Sequence, residues 1–381
     1  MNPWITFLLA LLAAYALNRL FIRLSKRLGS LSDSTKKGAK GELRWASSSK
    51  PLVGGITFFV LFLAGTALIL ALLPSAAGAL PRGLLALLLA SGVAFGVGLA
   101  DDLYNTRPLL KLGGQIVCGL LLLAFGVRIE FSGIWAFDGA LTLLWVVGIM
   151  NSFNLIDNMD GVSGSFSLGV LCTTVLALVL AGVTTGFYFY LAVFMLGANS
   201  GFLILNWKPS KLFMGDTGSQ FLGLLLAYLG IVFFWNSGLG TTSPLRSVLV
   251  VALVFFATLL DTAFVTVARI RRGQSPMKGG KDHISHHLVY LGLHERYVPV
   301  VFGTVTLVSG AIALTCRFFV ADWTWLHTGF VLAYLSAMVL LFAYLYSKGL
   351  DHHQRRQAEQ AQPLPATKPS VGAVPPVVSA A

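Results

Sequence analysis

Stretches of about twenty apolar residues, nearly free of charge, recur along the whole of this 381-residue chain. As an α-helix, a run of that length crosses a hydrocarbon layer of roughly 30 Å. Only 11% of the residues are charged, against roughly 25% in soluble domains, and 56% are hydrophobic. Backbone polar groups inside a bilayer must be paired within their own segment, which favours helices. The chain is therefore predicted to be an all-α, polytopic integral membrane protein.

Eleven membrane-spanning segments are predicted from apolar runs bounded by charged residues, proline or glycine. They lie near residues 3–20, 51–73, 83–100, 109–127, 139–157, 162–182, 186–205, 218–236, 246–268, 298–318 and 327–346. No basic residue precedes the first segment, so it is predicted to be a retained helix and not a cleaved signal peptide. Together the segments predict one transmembrane domain over residues 1–347. The remainder, residues 348–381, is rich in Pro, Ala and Val and is predicted to be a disordered cytoplasmic tail.

Basic residues outnumber acidic ones by 27 to 15, which gives a net charge of +12. In a soluble protein this excess would raise the question of nucleic acid, but membrane proteins concentrate Lys and Arg in cytoplasmic loops. With the N-terminus outside, 23 of the 27 cations fall on the cytoplasmic side. We therefore predict an outside N-terminus, a cytoplasmic C-terminus, a lipid bilayer as partner and no nucleic acid.

Carboxylates are scarce in this chain, and a charge buried in a membrane is expensive, so the position of each one is informative. Six of the fifteen acids lie at or near the predicted cytoplasmic ends of spans. They are Asp101, Asp102, Asp157, Asp160, Asp216 and Asp261. Separate helices are thus predicted to bring carboxylates to one membrane face.

Asn154, Asp157 and Asp160 recur every three residues at the end of the fifth segment. Residues at this spacing share one face of a helix, so the three side chains are predicted to line one wall. Their oxygens suit a hard cation such as Mg²⁺, which keeps several waters and is completed by substrate phosphates. A polar helix end in a solvated loop is the alternative interpretation.

Asp101 and Asp102 are adjacent, and two ionised carboxylates at a partly dehydrated site need a nearby cation or a raised pKa. Lys111 begins the next span and could bind phosphate there as a point charge. The alternative for the two aspartates is a simple cap of the helix end, and the alternative for Lys111 is the positive-inside rule. Asp216 lies in the motif GDTGS, where the N–H groups of the following helix would face an anion. The alternative there is a tight turn with Asp216 as N-cap.

His283, His286 and His287 lie in a loop rich in Gly and Lys. Three histidines suggest zinc, but no Cys or well-spaced further ligand accompanies them, and the nearby cations would oppose a metal. Donors to a pyrophosphate or a nucleotide fit this composition better. A solvated polar loop is the alternative.

Four segments together resemble the polyprenyl-phosphate N-acetylhexosamine-1-phosphate transferases: GLADDLYNTRPLLKLGGQ, MNSFNLIDNMDGVSGS, NWKPSKLFMGDTGS, and the histidine loop with the preceding RRGQSP. The resemblance extends over about residues 1 to 347. It implies an enzyme of the bacterial inner membrane, with its active site on the cytoplasmic face, that starts the synthesis of an envelope glycan. The donor would be a UDP-sugar, the acceptor polyprenyl phosphate, the product UMP and the cofactor Mg²⁺, with Mn²⁺ as a substitute. The loop lacks three consecutive histidines, which favours the GlcNAc branch over the MurNAc-pentapeptide branch.

The resemblance also implies roles for single residues. The implied catalytic residues are Asp101, Asp102, Asp157 and Asp160. The predicted substrate-binding residues are Lys111, Asn154, Phe213, His283, His286 and His287. Asp216 would bind the metal with Asn154 as co-ligand, and Phe213 would stack on uracil. The first two aspartates would lie beside the lipid phosphate as candidate bases.

At two positions the sequence departs from the family pattern. Asn158 stands where many relatives have Gly, and Ser285 stands where a histidine is more common.

Direct attack by the lipid phosphate and a two-step route through an aspartyl intermediate both fit the sequence. A homodimer also fits it. Two rival classes are a secondary transporter, which needs ionisable residues near the bilayer midplane, and an intramembrane prenyltransferase, which repeats its acidic motif. Only Asp261 approaches that depth, and no acidic motif is repeated.

Overall fold

A computed structural model describes residues 1–27, 50–73, 81–236, 244–275 and 280–361. This part of the chain forms thirteen α-helices, and its one β pairing is an isolated bridge between Leu52 and Phe213. The predicted all-α class is confirmed.

The helices, in chain order, have the following bounds. They are α1 (Pro3–Arg27), α2 (Gly54–Leu72), α3 (Arg82–Tyr104), α4 (Pro108–Ala124), α5 (Trp135–Ile156), α6 (Val162–Leu180), α7 (Phe187–Asn206), α8 (Gly215–Gly230), α9 (Pro244–Val254), α10 (Phe256–Arg271), α11 (Ile284–Tyr290), α12 (Val298–Phe318) and α13 (Trp325–Ala361). A π-helical turn, Ile231–Trp235, continues α8, and a 3-10 turn, Glu295–Tyr297, precedes α12.

Within the described ranges, nine helices are long and apolar enough to cross a membrane. The consecutive helices α9 and α10 also qualify as a pair, but a bend of 79° separates them. Helix α4 is apolar and shorter, with 17 residues. Each predicted segment overlaps one of these elements, so the multi-pass architecture is confirmed. The count of eleven and the orientation of the termini remain predictions.

Helix α8 lies at the centre of the bundle, with every residue from Thr217 to Gly230 buried. Two neighbouring helices approach its N-terminus closely because they carry glycine at the contact. A Cβ atom at Gly98 of α3 would collide with the carbonyl oxygen of Asp216, and one at Gly55 of α2 would collide with the backbone of Gly218. This close approach brings the C-terminal end of α3 against the start of α8.

The last helix, α13, continues to Ala361. The prediction of irregular chain from residue 348 is therefore wrong for residues 348–361, where Gln, Arg, Glu and Ala favour helix. Residues 362–381 lie outside the described part. The extended helix packs on α11: the His287 ring lies 3.8 Å from the Tyr346 ring, and Tyr290 stacks on His353 at 4.0 Å between ring centroids.

Candidate active site

Lys111 lies between two carboxylates that come from different helices. Its Nζ is 2.8 Å from Asp101 Oδ2 and 3.4 Å from Asp216 Oδ2. Asp101 is buried, and its second oxygen accepts hydrogen bonds from the backbone N–H of Thr106 at 2.9 Å and from its hydroxyl at 2.7 Å. The side chains of Lys111 and Asp216 are 23% and 26% exposed. Lys111 and Asp216 are therefore accessible to a ligand, whereas Asp101 holds the lysine from behind.

Asp102 has different partners from Asp101. Its carboxylate accepts hydrogen bonds from the backbone N–H groups of Asp216 at 3.0 Å and Thr217 at 2.9 Å, and from the Thr217 hydroxyl at 2.7 Å. Asp102 thus caps the N-terminus of α8 from a neighbouring helix, where a negative charge is favourable. The chain can turn into α8 because Gly215 adopts φ +75°. The geometry gives Asp102 the task of positioning Asp216.

Asn154 joins the same group from α5. Its Nδ2 donates to Asp216 Oδ1 at 2.5 Å and to Ser219 Oγ at 2.8 Å. In the described part of the chain, no three His, Cys, Asp or Glu side chains converge as a metal cage. However, Mg²⁺ is usually bound through one or two carboxylates, with waters and substrate phosphates completing the shell. The carboxylate of Asp216 and the amide oxygen of Asn154 fit that kind of donor set.

The predicted helical wall of Asn154, Asp157 and Asp160 is not formed. Helix α5 ends at Ile156, and Asp157 has φ −78° and ψ 48°, outside helical geometry. The next helix begins only after Gly161, which adopts φ +79°. Asp157 and Asp160 therefore lie in the turn between the helices, while Asn154 remains on α5.

Asp157 accepts a hydrogen bond of 2.6 Å from the Ser163 hydroxyl. Burial, together with the nearby carboxylates of Asp102 and Asp160, raises the pKa of Asp157 to about 7, against the lowering effect of the hydrogen bond from Ser163. Its carboxyl group therefore changes protonation state near neutral pH.

Asp160 is paired with two lysines. Lys50 Nζ lies 3.3 Å and Lys208 Nζ 3.7 Å from Asp160 Oδ2, and Lys208 also forms an ion pair with Glu295. The sequence did not identify Lys50 or Lys208 as site residues, because cations in cytoplasmic loops are expected from topology alone. Two features of the sequence could have pointed to them: Lys50 directly precedes Pro51, and Lys208 lies in the same segment as Asp216.

Phe213 lies beside this group of charges. The Lys50 ammonium is 4.9 Å from the centroid of the Phe213 ring and donates a hydrogen bond of 2.7 Å to Ser210 Oγ. The backbone of Phe213 is fixed by its N–H, which donates to Pro51 O at 3.0 Å. An aromatic ring with a cation near it is thus held on the same side of the bundle as Asp160.

The three histidines form the start of α11 and are buried. His283 Nδ1 lies 2.8 Å from Asp261 Oδ2, and Asp261 Oδ1 accepts from the backbone N–H of Ile284 at 2.8 Å. Asp261 is fully buried, so it serves to cap α11 and orient His283. Burial lowers the pKa of His286 to about 2 and that of His287 to about 4, which keeps both neutral at pH 7.

Ser285 connects the histidine helix to the rest of the site. Its hydroxyl donates a hydrogen bond of 2.6 Å to Asn158 Oδ1, in the turn that follows α5. The same turn carries Asp157 and Asp160. The predicted site residues of four sequence segments are therefore linked at one end of the bundle.

The chain is similar to known proteins along most of its length. Residues 84–234 match the family described as Glycosyl transferase family 4. A probable undecaprenyl-phosphate N-acetylglucosaminyl 1-phosphate transferase of Bacillus subtilis is 25% identical, over 82% of this chain and 84% of the relative. The decaprenyl-phosphate N-acetylglucosaminephosphotransferase of Mycobacterium leprae is 30% identical, over 70% of this chain and 74% of the relative. The undecaprenyl-phosphate alpha-N-acetylglucosaminyl 1-phosphate transferase of Escherichia coli O157:H7 is 26% identical, over 64% of this chain and 69% of the relative.

The fold is that of a multi-pass membrane protein, and the polar groups gather where its helices end. The chain belongs to the polyprenyl-phosphate N-acetylglucosaminyl-1-phosphate transferase family. The family predicted from the four sequence segments is thus confirmed, and no relative named above is a transporter or a prenyltransferase.

Proposed function

We propose that the protein transfers GlcNAc 1-phosphate from UDP-GlcNAc to a polyprenyl phosphate and releases UMP. The observation that carries this proposal is the position of Lys111 between Asp101 and Asp216, with Asn154 bonded to Asp216. A buried carboxylate, an accessible ammonium and an accessible carboxylate suit a substrate with two phosphates and a cation. The names of the relatives support the choice of sugar and lipid.

Asp216 and Asn154 would hold Mg²⁺, with Mn²⁺ as a substitute. Bound there, the ion would supply positive charge to the pyrophosphate oxygens of the donor. Asp102 keeps Asp216 in place by capping α8. Lys111, which is partly exposed beside Asp216, would bind a second phosphate group.

Phosphoryl transfer requires positioning and charge stabilisation more than covalent work by the protein. An oxygen of the lipid phosphate would attack the phosphorus that carries the sugar. The bond from that phosphorus to the bridging oxygen would break, and UMP would leave with the bridging oxygen. Lys111, held by Asp101, would stabilise the negative charge on the phosphates during this exchange.

The donor nucleotide would lie over Phe213, where uracil stacks on the ring and Lys50 binds nearby oxygens. His283, oriented by Asp261, would contact the sugar nucleotide from α11. We place this site on the cytoplasmic face of the inner membrane, since UDP-sugars are made in the cytoplasm and the cations of the adjoining loops favour that side.

The test is release of UMP from UDP-GlcNAc by the purified protein in lipid nanodiscs. Release should require both undecaprenyl phosphate and Mg²⁺, and other UDP-N-acetylhexosamines should be poor donors. Lys111→Met should lower the rate about 100-fold or more. Lys211→Met, which alters an exposed lysine of the same loop region, is the matched control. Release that ignores the lipid would overturn direct attack in favour of an aspartyl intermediate.

A further inference from the structure

Three amide side chains meet one helical turn farther along their helices than the charged residues of the site. Two of them are buried, and Asn151 is exposed. Gln115 follows Lys111 by four residues on α4, and Gln220 follows Asp216 by four residues on α8. Asn151 precedes Asn154 by three residues on α5. At these spacings each amide lies on the same helix face as the site residue one turn away. We call Gln115, Asn151 and Gln220 the amide cluster.

The amide cluster is hydrogen-bonded across three helices. Asn151 Nδ2 donates to Gln115 Oε1 at 2.7 Å, and Gln115 Nε2 donates to Asn151 Oδ1 at 3.2 Å. Gln115 Nε2 also donates to Gln220 Oε1 at 3.1 Å. Gln115 and Gln220 are each 1% exposed. Gln115 is the central member, because it contacts both of the others.

Helix α4 packs on α3 and α5 but buries only four of its seventeen residues. Its buried residues are Gln115, Cys118, Gly119 and Leu122. None of its first seven residues is buried, and Leu109 is 73% exposed. Gln115 is therefore the first buried residue of α4, and it comes one turn after Lys111.

Hydrogen bonds between amides are directional, unlike contacts between aliphatic side chains. A reciprocal amide pair therefore fixes the rotation of α4 about its axis and its height relative to α5. The bond to Gln220 fixes the same helix relative to α8. Lys111 has a long, flexible stem, so its position depends on the helix that carries it.

We propose that the amide cluster positions Lys111. In this role Gln115 anchors the start of α4 so that the ammonium stays between Asp101 and Asp216. The inference rests on the proposed function only in assuming that Lys111 binds a substrate phosphate. Gln115 itself is a positioning residue, because it lies below the group of charges and acts through the lysine.

The test compares the wild type with Gln115→Met, Lys111→Met and the double variant. Methionine keeps the length and volume of glutamine and removes its hydrogen bonds. The rate of UMP release by Gln115→Met should fall about 10- to 100-fold, since displacement of a site residue by about 1 Å has effects of that size. In the Lys111→Met background, the same substitution should have no further effect.

A second measurement does not depend on turnover. Excess UDP with Mg²⁺, and separately undecaprenyl phosphate, should raise the thermal unfolding midpoint of the wild type. At least one of these ligand-induced shifts should be smaller in Gln115→Met and in Lys111→Met than in the wild type. The double variant should show the same shift as Lys111→Met alone. If the wild type is stabilised by these ligands but releases no UMP, the proposed function fails while the positioning role can still be judged.

Two additional variants keep the inference testable. Gln115→Asn retains an amide that is too short to reach its partners. It replaces Gln115→Met if methionine prevents folding, and it should then show the same fall of about 10- to 100-fold in UMP release. Asn199→Leu is the matched control, because Asn199 is a buried membrane amide bonded to Ser167 and Gly164 at 3.0 and 2.8 Å. It should lower the midpoint and leave the UDP and lipid shifts unchanged. The inference would be overturned if the fold-decreases in UMP release of Gln115→Met and Lys111→Met multiplied in the double variant. Unchanged activity of Gln115→Met would overturn it as well.

Discussion

The Ser285 hydroxyl donates a hydrogen bond of 2.6 Å to Asn158 Oδ1, which ties the histidine helix to the turn after α5. Ser285 is fully buried, and Asn158 Nδ2 is held in turn by Leu155 O at 3.0 Å. These are the two positions at which the sequence departs from the pattern that its family resemblance implies. The two departures are thus in direct contact through this hydrogen bond.

Removal of this bond should weaken the attachment of α11. Ser285→Ala leaves Asn158 Oδ1 without its donor, so the free energy of unfolding should fall by about 1 kcal/mol. The KM for UDP-GlcNAc should rise more than kcat falls, because α11 would contact the donor and not the reacting phosphorus. Denaturant unfolding and steady-state kinetics measure the two effects.

The pairwise nature of this bond is tested with a double-mutant cycle. Ser285→Ala combined with Asn158→Ala should cost less than the sum of the two single changes. Ser200→Ala is the control, since the Ser200 hydroxyl donates within its own helix to Leu196 O at 2.8 Å. Strictly additive costs would show that the two side chains do not stabilise one another.

The adjacent aspartates of α3 should respond differently to substitution. Asp102→Ala removes the cap of α8, so both the thermal midpoint and the activity should fall, with a loss of about 1 kcal/mol in stability. Asp101→Asn keeps an oxygen for Thr106 and removes the charge that faces Lys111, so activity should fall with little change in stability. Midpoints and rates of UMP release, measured on the same preparations, separate the two patterns. A stable but inactive Asp102→Asn would instead make Asp102 a direct participant.

Phe213 should contribute to the binding of the nucleotide. Stacking of a base on an aromatic side chain is worth about 1–3 kcal/mol, so Phe213→Leu should raise the Kd for UDP by about tenfold or more. Phe213→Tyr should retain most of the affinity. Phe95→Leu is the matched control, because Phe95 stacks on Phe59 at 4.2 Å elsewhere in the bundle. Binding of UDP can be measured by isothermal titration calorimetry. An unchanged Kd in Phe213→Leu would place uracil elsewhere.

The membrane fold could be predicted from the sequence because length and charge suffice to define a span. The extent of α13 could not be predicted, since a polar helical extension such as residues 348–361 has no hydrophobic stripe of its own. Its position becomes understandable only when Tyr346 and His353 are seen to pack on α11. Local apolar periodicity contains no information about such a partner.

The chemistry of the site was also visible only in part. The sequence identified Asp101 and Asp102 as a pair, but the tertiary approach of α3 to α8 at Gly98 decides which of them faces Lys111 and which caps a helix. It placed Asp157 on a helix face, whereas α5 stops one residue earlier. Contacts between distant segments decide these roles, and a periodic pattern describes only one segment at a time.

The buried ionisable groups near α11 should make stability depend on pH in a defined way. The pKa of His286 is lowered to about 2 and that of His287 to about 4 by burial, against about 6.5 in an unfolded chain. Between pH 6.5 and 5 the unfolded state therefore binds more protons than the folded state at these positions, and stability should fall as the pH falls. Asp157 acts in the opposite direction, because its pKa is raised to about 7 and the folded state binds the extra proton.

Substitution should separate these opposing contributions. His286→Gln should flatten the fall in the thermal midpoint between pH 6.5 and 5, whereas Asp157→Asn should make it steeper. The exposed His352 provides the control, and His352→Gln should leave the pH dependence as in the wild type. Midpoints measured in one detergent at constant ionic strength give the three slopes. Equal slopes in the wild type and His286→Gln would mean that His286 is not kept neutral by burial, and equal slopes in Asp157→Asn would mean that Asp157 titrates alike in both states.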